Sequence, residues 1–188
     1  MNSVTIRRER RGDEAAREQM LDAAYGPVRF SKPSHKLREG SDPVDGLSFV
    51  AIDNGRVVGT VRLWQVMAGN SACAGRETLL LGPLAVDPAY RKQGIGSALM
   101  RRAMREAQRG HKAVLLVGDA CYYGRFGFSA DKTGGLWLPG PYEQHRLLGC
   151  EFTAGALDRA RGLIRAPRKP ASKLVAAMAR RKAAPQAA

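Results

Sequence analysis

Apolar residues recur with two different periods along this chain, and the switches between them lay out its elements. Val4 to Arg7 alternates weakly, as an edge strand does. Asp13-Glu14 then opens a helix whose Ala15, Ala16, Met20, Leu21 and Ala24 fall at helical spacing, and Tyr25-Gly26-Pro27 stops it. A short helix is expected over Pro33–Arg38. Leu47–Ile52 and Val57–Trp64 read as strands, joined at Asn54-Gly55, whose tolerance of positive φ suits a tight hairpin. Residues 67–76, with Gly69, Asn70, Ser71 and Gly75, read as a loop. The next strand, Leu79–Val86, contains Gly82-Pro83. Pro removes a ladder donor and Gly weakens pairing, so this strand is expected to bulge or lose a neighbour there, opening the sheet to a ligand.

A helix follows over Ser97–Arg109, with Ala98, Leu99, Ala103, Met104 and Ala107 as its apolar stripe, the arginines mainly off it, and Gly110 as its stop. Ala113–Val117 is a buried strand, so strand, helix and strand form a βαβ unit. Leu136–Pro139 and Cys150–Phe152 are the last strands expected. No internal repeat is visible.

A chain of 188 residues with 44% hydrophobic content suits a single core. Residues 166–188 differ in character: Ala, Lys and Arg with Pro167, Pro170 and Pro185, read as a mobile tail with a helix over Ser172–Arg181. The expected division is a folded domain over 1–165 and this basic tail. Of the net charge of +14, the tail carries six basic residues and no acid, leaving 25 basic against 17 acidic residues before it. The domain itself is therefore basic, as suits a polyanionic cofactor, an acidic partner or nucleic acid. No run approaches the roughly twenty apolar residues of a membrane span. Arg7-Arg8 bring charge where a secretory leader needs its apolar segment, so the expectation is a cytoplasmic protein without a membrane role. Cys73, Cys121 and Cys150 have neither disulfide nor zinc spacing and read as buried or half-buried thiols, and no metal is expected.

Chemistry concentrates at Arg91-Lys92-Gln93-Gly94-Ile95-Gly96. Two glycines beside basic side chains at a helix entrance let backbone N–H groups converge on an anion such as a pyrophosphate. The short pattern alone is weak, since about 0.3 occurrences are expected by chance. An ordinary strand-to-helix loop would also use glycines. A dinucleotide fingerprint fits less well: Leu99 replaces the third small residue, seven residues separate strand from Gly94, and too few βα units follow.

Leu84-Ala85-Val86-Asp87-Pro88-Ala89-Tyr90 together with Arg91 to Met100 resembles the acetyl-CoA-binding segment of the GNAT N-acetyltransferases. Tyr123-Gly124-Arg125-Phe126-Gly127-Phe128 is similar to the Tyr-x-x-x-Gly-Phe segment that ends that family's core. Thr60–Trp64, Gly118-Asp119 and Gly155–Leu157 further resemble a bacterial YhbS-like subgroup. The resemblance implies an α/β (α+β) fold with a mixed, mostly antiparallel sheet flanked by helices and a splayed strand pair that binds acyl-CoA. It implies transfer of an acetyl or other acyl group to a primary amine. Leu84, Ala85 and Val86 would hold the acyl arm and pantetheine. Gln93, Gly94, Ile95, Gly96 and Ser97 would hold the pyrophosphate through their amides, with Arg91 and Lys92 adding charge. Gly94 and Gly96 are expected because a Cβ would obstruct that approach. The Leu84 N–H is the implied oxyanion donor and Tyr123 the implied general acid, with Tyr122 as the fallback.

No acid lies within residues 79–86, so the general base stays open among Glu77, His35, Asp119, Glu143, His145 and a water. The acceptor is a small-molecule or peptide amine, and the chain a monomer or homodimer. A catalytically inactive protein of the same fold, or a basic nucleic-acid-associated one, is the alternative. The tail lacks the aromatic residues that stack on bases, which disfavours nucleic acid.

Overall fold

The computed structural model describes residues 4–69 and 76–167. In chain order its elements are β1 (Thr5–Arg8), α1 (Glu14–Tyr25), α2 (Pro33–Lys36), β2 (Ser48–Asp53), β3 (Arg56–Ala68), β4 (Arg76–Val86), α3 (Ile95–Ala107), β5 (Ala113–Val117), α4 (Ala120–Tyr123), β6 (Leu136–Trp137), β7 (Leu147–Glu151) and β8 (Gly162–Leu163). Six strands form one sheet in the order β1-β2-β3-β4-β5-β7, and β6 and β8 make a small second sheet. In the main sheet only β4 and β5 run parallel, and α3 connects them, which is the βαβ unit expected from the sequence. The other pairings are antiparallel.

The hairpin at Asn54-Gly55 forms as expected, with both residues at positive φ (46° and 78°). Other boundaries move. β3 continues through Ala68 because Met67 and Ala68 pair with Glu77 and Arg76, so the expected loop is strand at both of its ends. α3 starts two residues early, at Ile95. α2 ends at Lys36. β7 begins at Leu147, ahead of the expected Cys150, and runs through Gly149, where a Cβ would lie 2.8 Å from Leu157 Cδ1. That glycine breaks the hydrophobic run and hides the strand from periodicity. β6 is only two residues long and pairs in parallel with β8, which the sequence reading lacks. The proposed tail helix over Ser172–Arg181 lies outside the described residues.

Both faces of the sheet are covered. On one, Leu99, Met100, Ala103 and Ala107 of α3 pack on Phe49, Val61, Leu63, Leu79 and Leu81. Full burial of Leu99 or Met100 contributes about 2 kcal/mol each. α3 can lie this close because Gly59 leaves room: a Cβ there would stand 3.0 Å from Leu99 Cδ1 and 3.2 Å from Ile95 Cγ2. On the other face, Met20 and Leu21 of α1 cover Val50, Val57 and Ala85. Beside them, Leu80, Leu115, Leu136, Leu138 and Leu147 form a second cluster. The buried Arg17 fixes α1 by pairing with Glu9 and, at 2.9 Å, with Glu18.

At Gly82-Pro83 the sheet is irregular in both of the ways expected. The register against β3 shifts by one residue, from Leu63↔Leu81 to Val61↔Leu84. The pairing of β4 with β5 consists of Leu79↔Val114 and Leu80↔Leu115 and does not continue past them. The Gly82–Pro83 peptide is cis, and the Trp64 indole N–H donates to the Gly82 carbonyl at 2.8 Å, which satisfies that oxygen inside the bulge.

Candidate active site

Where β4 parts from β5, the edge of β4 loses its partner. The Asp87 N–H donates to the Val58 carbonyl at 2.9 Å, and Ala85 lies opposite Thr60. In an antiparallel ladder bonded and non-bonded pairs alternate, so Ala85 bonds to β3 while the N–H and C=O of Leu84 and Val86 point away from it, into the gap. The Tyr25 hydroxyl, at the end of α1, donates to the Leu84 carbonyl from that side. The gap is a slot of about 400 Å³ whose walls include Leu84, Val86, Gly96, Val117, Gly118 and Tyr122.

One end of the slot meets the first turn of α3. The Ala98 N–H bonds to the Gly94 carbonyl, which leaves the N–H groups of Ile95, Gly96 and Ser97 without helical partners, at the positive end of the helix dipole. The preceding turn is anchored by Arg56 on Asp87 (2.7 Å), by the Asp87 side chain on the Ala89 N–H (2.9 Å) and by the Tyr90 hydroxyl on Asp53 (2.8 Å).

The opposite wall carries two tyrosines, edge to face at 4.8 Å. The Tyr122 hydroxyl reaches the α3 entrance, since a Cβ on Gly96 would stand 3.1 Å from it. The Tyr123 ring instead lies on Gly118, where a Cβ would fall 2.1 Å from Tyr123 Cε2. Burial, followed by the proximity of Tyr25 and Tyr122, raises the Tyr123 phenol far above its ordinary value. It therefore carries its proton throughout the physiological range.

Behind Leu84 and Tyr123 lies a second cavity of about 300 Å³. It shares Tyr25, Lys32, Leu84, Val117, Tyr123 and Arg146 with the slot, and extends inward to Leu80–Pro83, Arg38 and Leu138. The segments that enclose it are residues 25–38 and 138–146.

The sequence-predicted residues thus meet, with adjustments. Leu84, Val86, Gly96 and Tyr123 converge on the slot. Ala85 contributes its place on β4, while its side chain packs beneath α1. Ile95 buries its side chain in the core and offers only its N–H. Arg91, Lys92, Gln93 and Gly94 are exposed on the turn, and Ser97 is half-buried in the first turn of α3. Gly94 takes a left-handed φ of 78°, which favours glycine, and no protein atom lies within 4 Å of a Cβ there. At Gly96 a Cβ would stand 3.1 Å from the Tyr122 hydroxyl.

Among the base candidates, Glu143 is the carboxylate lining the inner cavity, 3.5 Å from Arg146. Asp119 caps α4 by accepting from the Cys121 N–H. His35 packs edge-on to Phe30, and Glu77 lines a separate cavity with His111 and Lys112. Three contributors have no role in the sequence analysis: Tyr25, which stands there only at a helix stop, Lys32 and Arg146. Gly118 stands there in a family-like motif without a role of its own.

Residues 45–130 match the acetyltransferase (GNAT) domain. Among curated proteins the chain is 34% identical over 113 residues to the uncharacterized N-acetyltransferase YhbS of Escherichia coli K12, a match covering 58% of this chain and 64% of that protein. It is 37% identical over 71 residues to the uncharacterized N-acetyltransferase YjhQ of the same strain, covering 36% and 39%. The chain thus spans less than two thirds of the length of these relatives. Among solved structures, E. coli YhbS in complex with CoA superposes with a TM-score of 0.74 at 27% identity, over 89% of this chain and 91% of that one. A GNAT family acetyltransferase from Brucella melitensis in complex with acetyl-CoA gives 0.64 at 27%, over 89% and 98%. No helix among the described residues is long and apolar enough to cross a membrane.

Proposed function

We propose that the protein, whose residues 45–130 match the acetyltransferase (GNAT) domain and whose fold is that of the solved GNAT structures, is an acyl-CoA-dependent N-acyltransferase. It moves an acetyl group from acetyl-CoA to a primary amine by direct attack on the thioester. The observation that carries this reading is the departure of β4 from β5, which leaves the Leu84 and Val86 backbone groups facing a slot that ends at the free N–H groups of α3.

Each residue then has a task. The amides at the α3 entrance receive the pyrophosphate, where backbone donors and the helix dipole act together. Arg91 and Lys92, exposed beside them, supply positive charge. The Leu84 and Val86 edge receives the pantetheine amides as a sheet edge receives an added strand. Leu84 N–H donates to the thioester oxygen as negative charge develops on it. The amine enters from the inner cavity, its nitrogen bonds to the acyl carbon, and the carbon–sulfur bond breaks. The Tyr123 hydroxyl supplies the proton that the leaving thiolate takes up. The acceptor's own proton passes to water or to Glu143, and a proton from solvent restores the Tyr123 hydroxyl before the next turnover. The unit so assembled is residues 1–165, with the basic tail following it.

Calorimetry with acetyl-CoA tests the reading directly. Binding in the micromolar range is expected, and no heat at high-micromolar cofactor overturns it. Gly96→Val should weaken binding at least about tenfold, because the added carbons compete with the Tyr122 hydroxyl for the slot wall. Thiol release with a panel of amines then reports transfer.

A further inference from the structure

The inner cavity is strongly cationic, and its charges are not equally satisfied. Arg29, Lys32, Arg38 and Arg146 line it against a single carboxylate, Glu143. Arg29 is committed elsewhere, to Glu18 at 2.6 Å and Asp22 at 2.8 Å. Arg146 shares Glu143 at 3.5 Å. Among the described residues Lys32 and Arg38 have no carboxylate partner, unlike Arg29 and Arg146. Lys32 lies over the Tyr25 ring at 4.6 Å, and Arg38 donates to the Ser34 carbonyl at 3.0 Å. Burial, with Arg62 and Arg29 nearby, lowers the Arg38 guanidinium to about 10. A half-buried, unpaired guanidinium is unfavourable until an anion joins it, and its planar donor fork matches a carboxylate or phosphate.

Position separates these charges from the donor's phosphates. Lys32 and Arg146 border both cavities, but Arg38 lines the inner one and not the slot that leads to α3. Resting on the acyl-transfer reading above, we propose that the acceptor is an amine bearing an anionic oxyacid group, carboxylate or phosphate, held by Arg38 and Lys32 with its amino group presented toward Leu84. A neutral amine would leave Arg38 unpaired, and a cationic one would also place further positive charge beside it.

Matched amine pairs test this with the full chain and acetyl-CoA: β-alanine against β-alaninamide for the carboxylate, phosphoethanolamine against ethanolamine for the phosphate. In at least one pair the anionic member should show a kcat/KM at least about tenfold above its neutral partner. Which pair responds identifies the group. Arg38→Gln, and separately Lys32→Gln, should raise KM for that anion at least about fivefold. Arg38→Gln should leave KM for acetyl-CoA within about twofold. Equal rates within both pairs overturn the proposal. So does an Arg38→Gln effect on acetyl-CoA in place of the amine, which would assign the cation to the donor. If no amine releases thiol, calorimetry on the CoA-saturated chain with β-alanine and phosphoethanolamine decides. Heat that Arg38→Gln abolishes supports the anion site and places the fault with acyl transfer, whereas no heat overturns the anion site.

Discussion

Replacing Tyr123 by Phe is expected to lower kcat for thiol release about a hundredfold while leaving acetyl-CoA binding nearly unchanged. The substitution keeps the ring on Gly118 and removes only the hydroxyl, so packing is preserved. What is lost is the hydroxyl proposed to protonate the thiolate, at the point where the slot and the inner cavity join. Loss of a positioned general acid typically costs about 10²–10⁴ in rate. The raised pKa of this phenol fits the task, because the same buried surroundings that disfavour phenolate also disfavour a departing thiolate. It also fixes the pH behaviour. The proton is in place well past pH 10, so activity should rise with pH as the acceptor amine is deprotonated and show no fall caused by Tyr123 below that point. The corresponding stability contribution is present below the unfolded value of about 10 and fades as pH rises beyond it. Single-turnover rates of wild type and variant, measured across this range, check both statements. Unchanged single-turnover rates in Tyr123→Phe would remove the residue from the chemistry.

Gly118→Ala should damage both fold and activity. An added Cβ would stand 2.1 Å from Cε2 and 2.6 Å from Cδ2 of Tyr123, distances that force the ring out. The backbone has little freedom to yield, since the Gly118 N–H is bonded to the Arg146 carbonyl at 2.9 Å. Overpacking of this kind costs about 1–3 kcal/mol, which for a chain of this size lowers the melting temperature by roughly 2–12 °C. Displacement of the ring should also bring kcat down at least as far as Tyr123→Phe does. The double variant Gly118→Ala/Tyr123→Phe should then be little slower than either single change. Near-additive losses would indicate that Gly118 acts by another route.

Much of this site is legible in the sequence because its causes are local. Gly82-Pro83 announces a defect in β4 through the backbone properties of the two residues alone. The glycines at 94 and 96 announce a helix entrance, although the reason differs between them. Tyr123 is legible only through its spacing from Gly127 and the family resemblance that spacing supports. The remainder depends on contacts between distant segments. The bond from Tyr25 to Leu84 joins residues 59 positions apart, and nothing around Tyr25 beyond the end of a helix marks it out. Lys32, Arg38 and Arg146 look like ordinary surface cations in the sequence. Only the fold brings them to one cavity, where residues 25–38 and 138–146 line it. β8 and the start of β7 are hidden for a related reason, since Gly149 and Gly162 break the apolar run where tight packing or pairing replaces it.

The shared wall between slot and inner cavity has a consequence for the order of events in a catalytic cycle. Because the two spaces touch along Leu84 and Tyr123 but extend in different directions, neither reactant has to traverse the other's chamber. On the proposed acyl-transfer reading both can be resident together, and the acyl group would pass between them without first being parked on the protein. Initial-rate plots at several fixed acceptor concentrations should therefore give intersecting lines, and parallel lines would mean that a covalent acyl-protein stage intervenes.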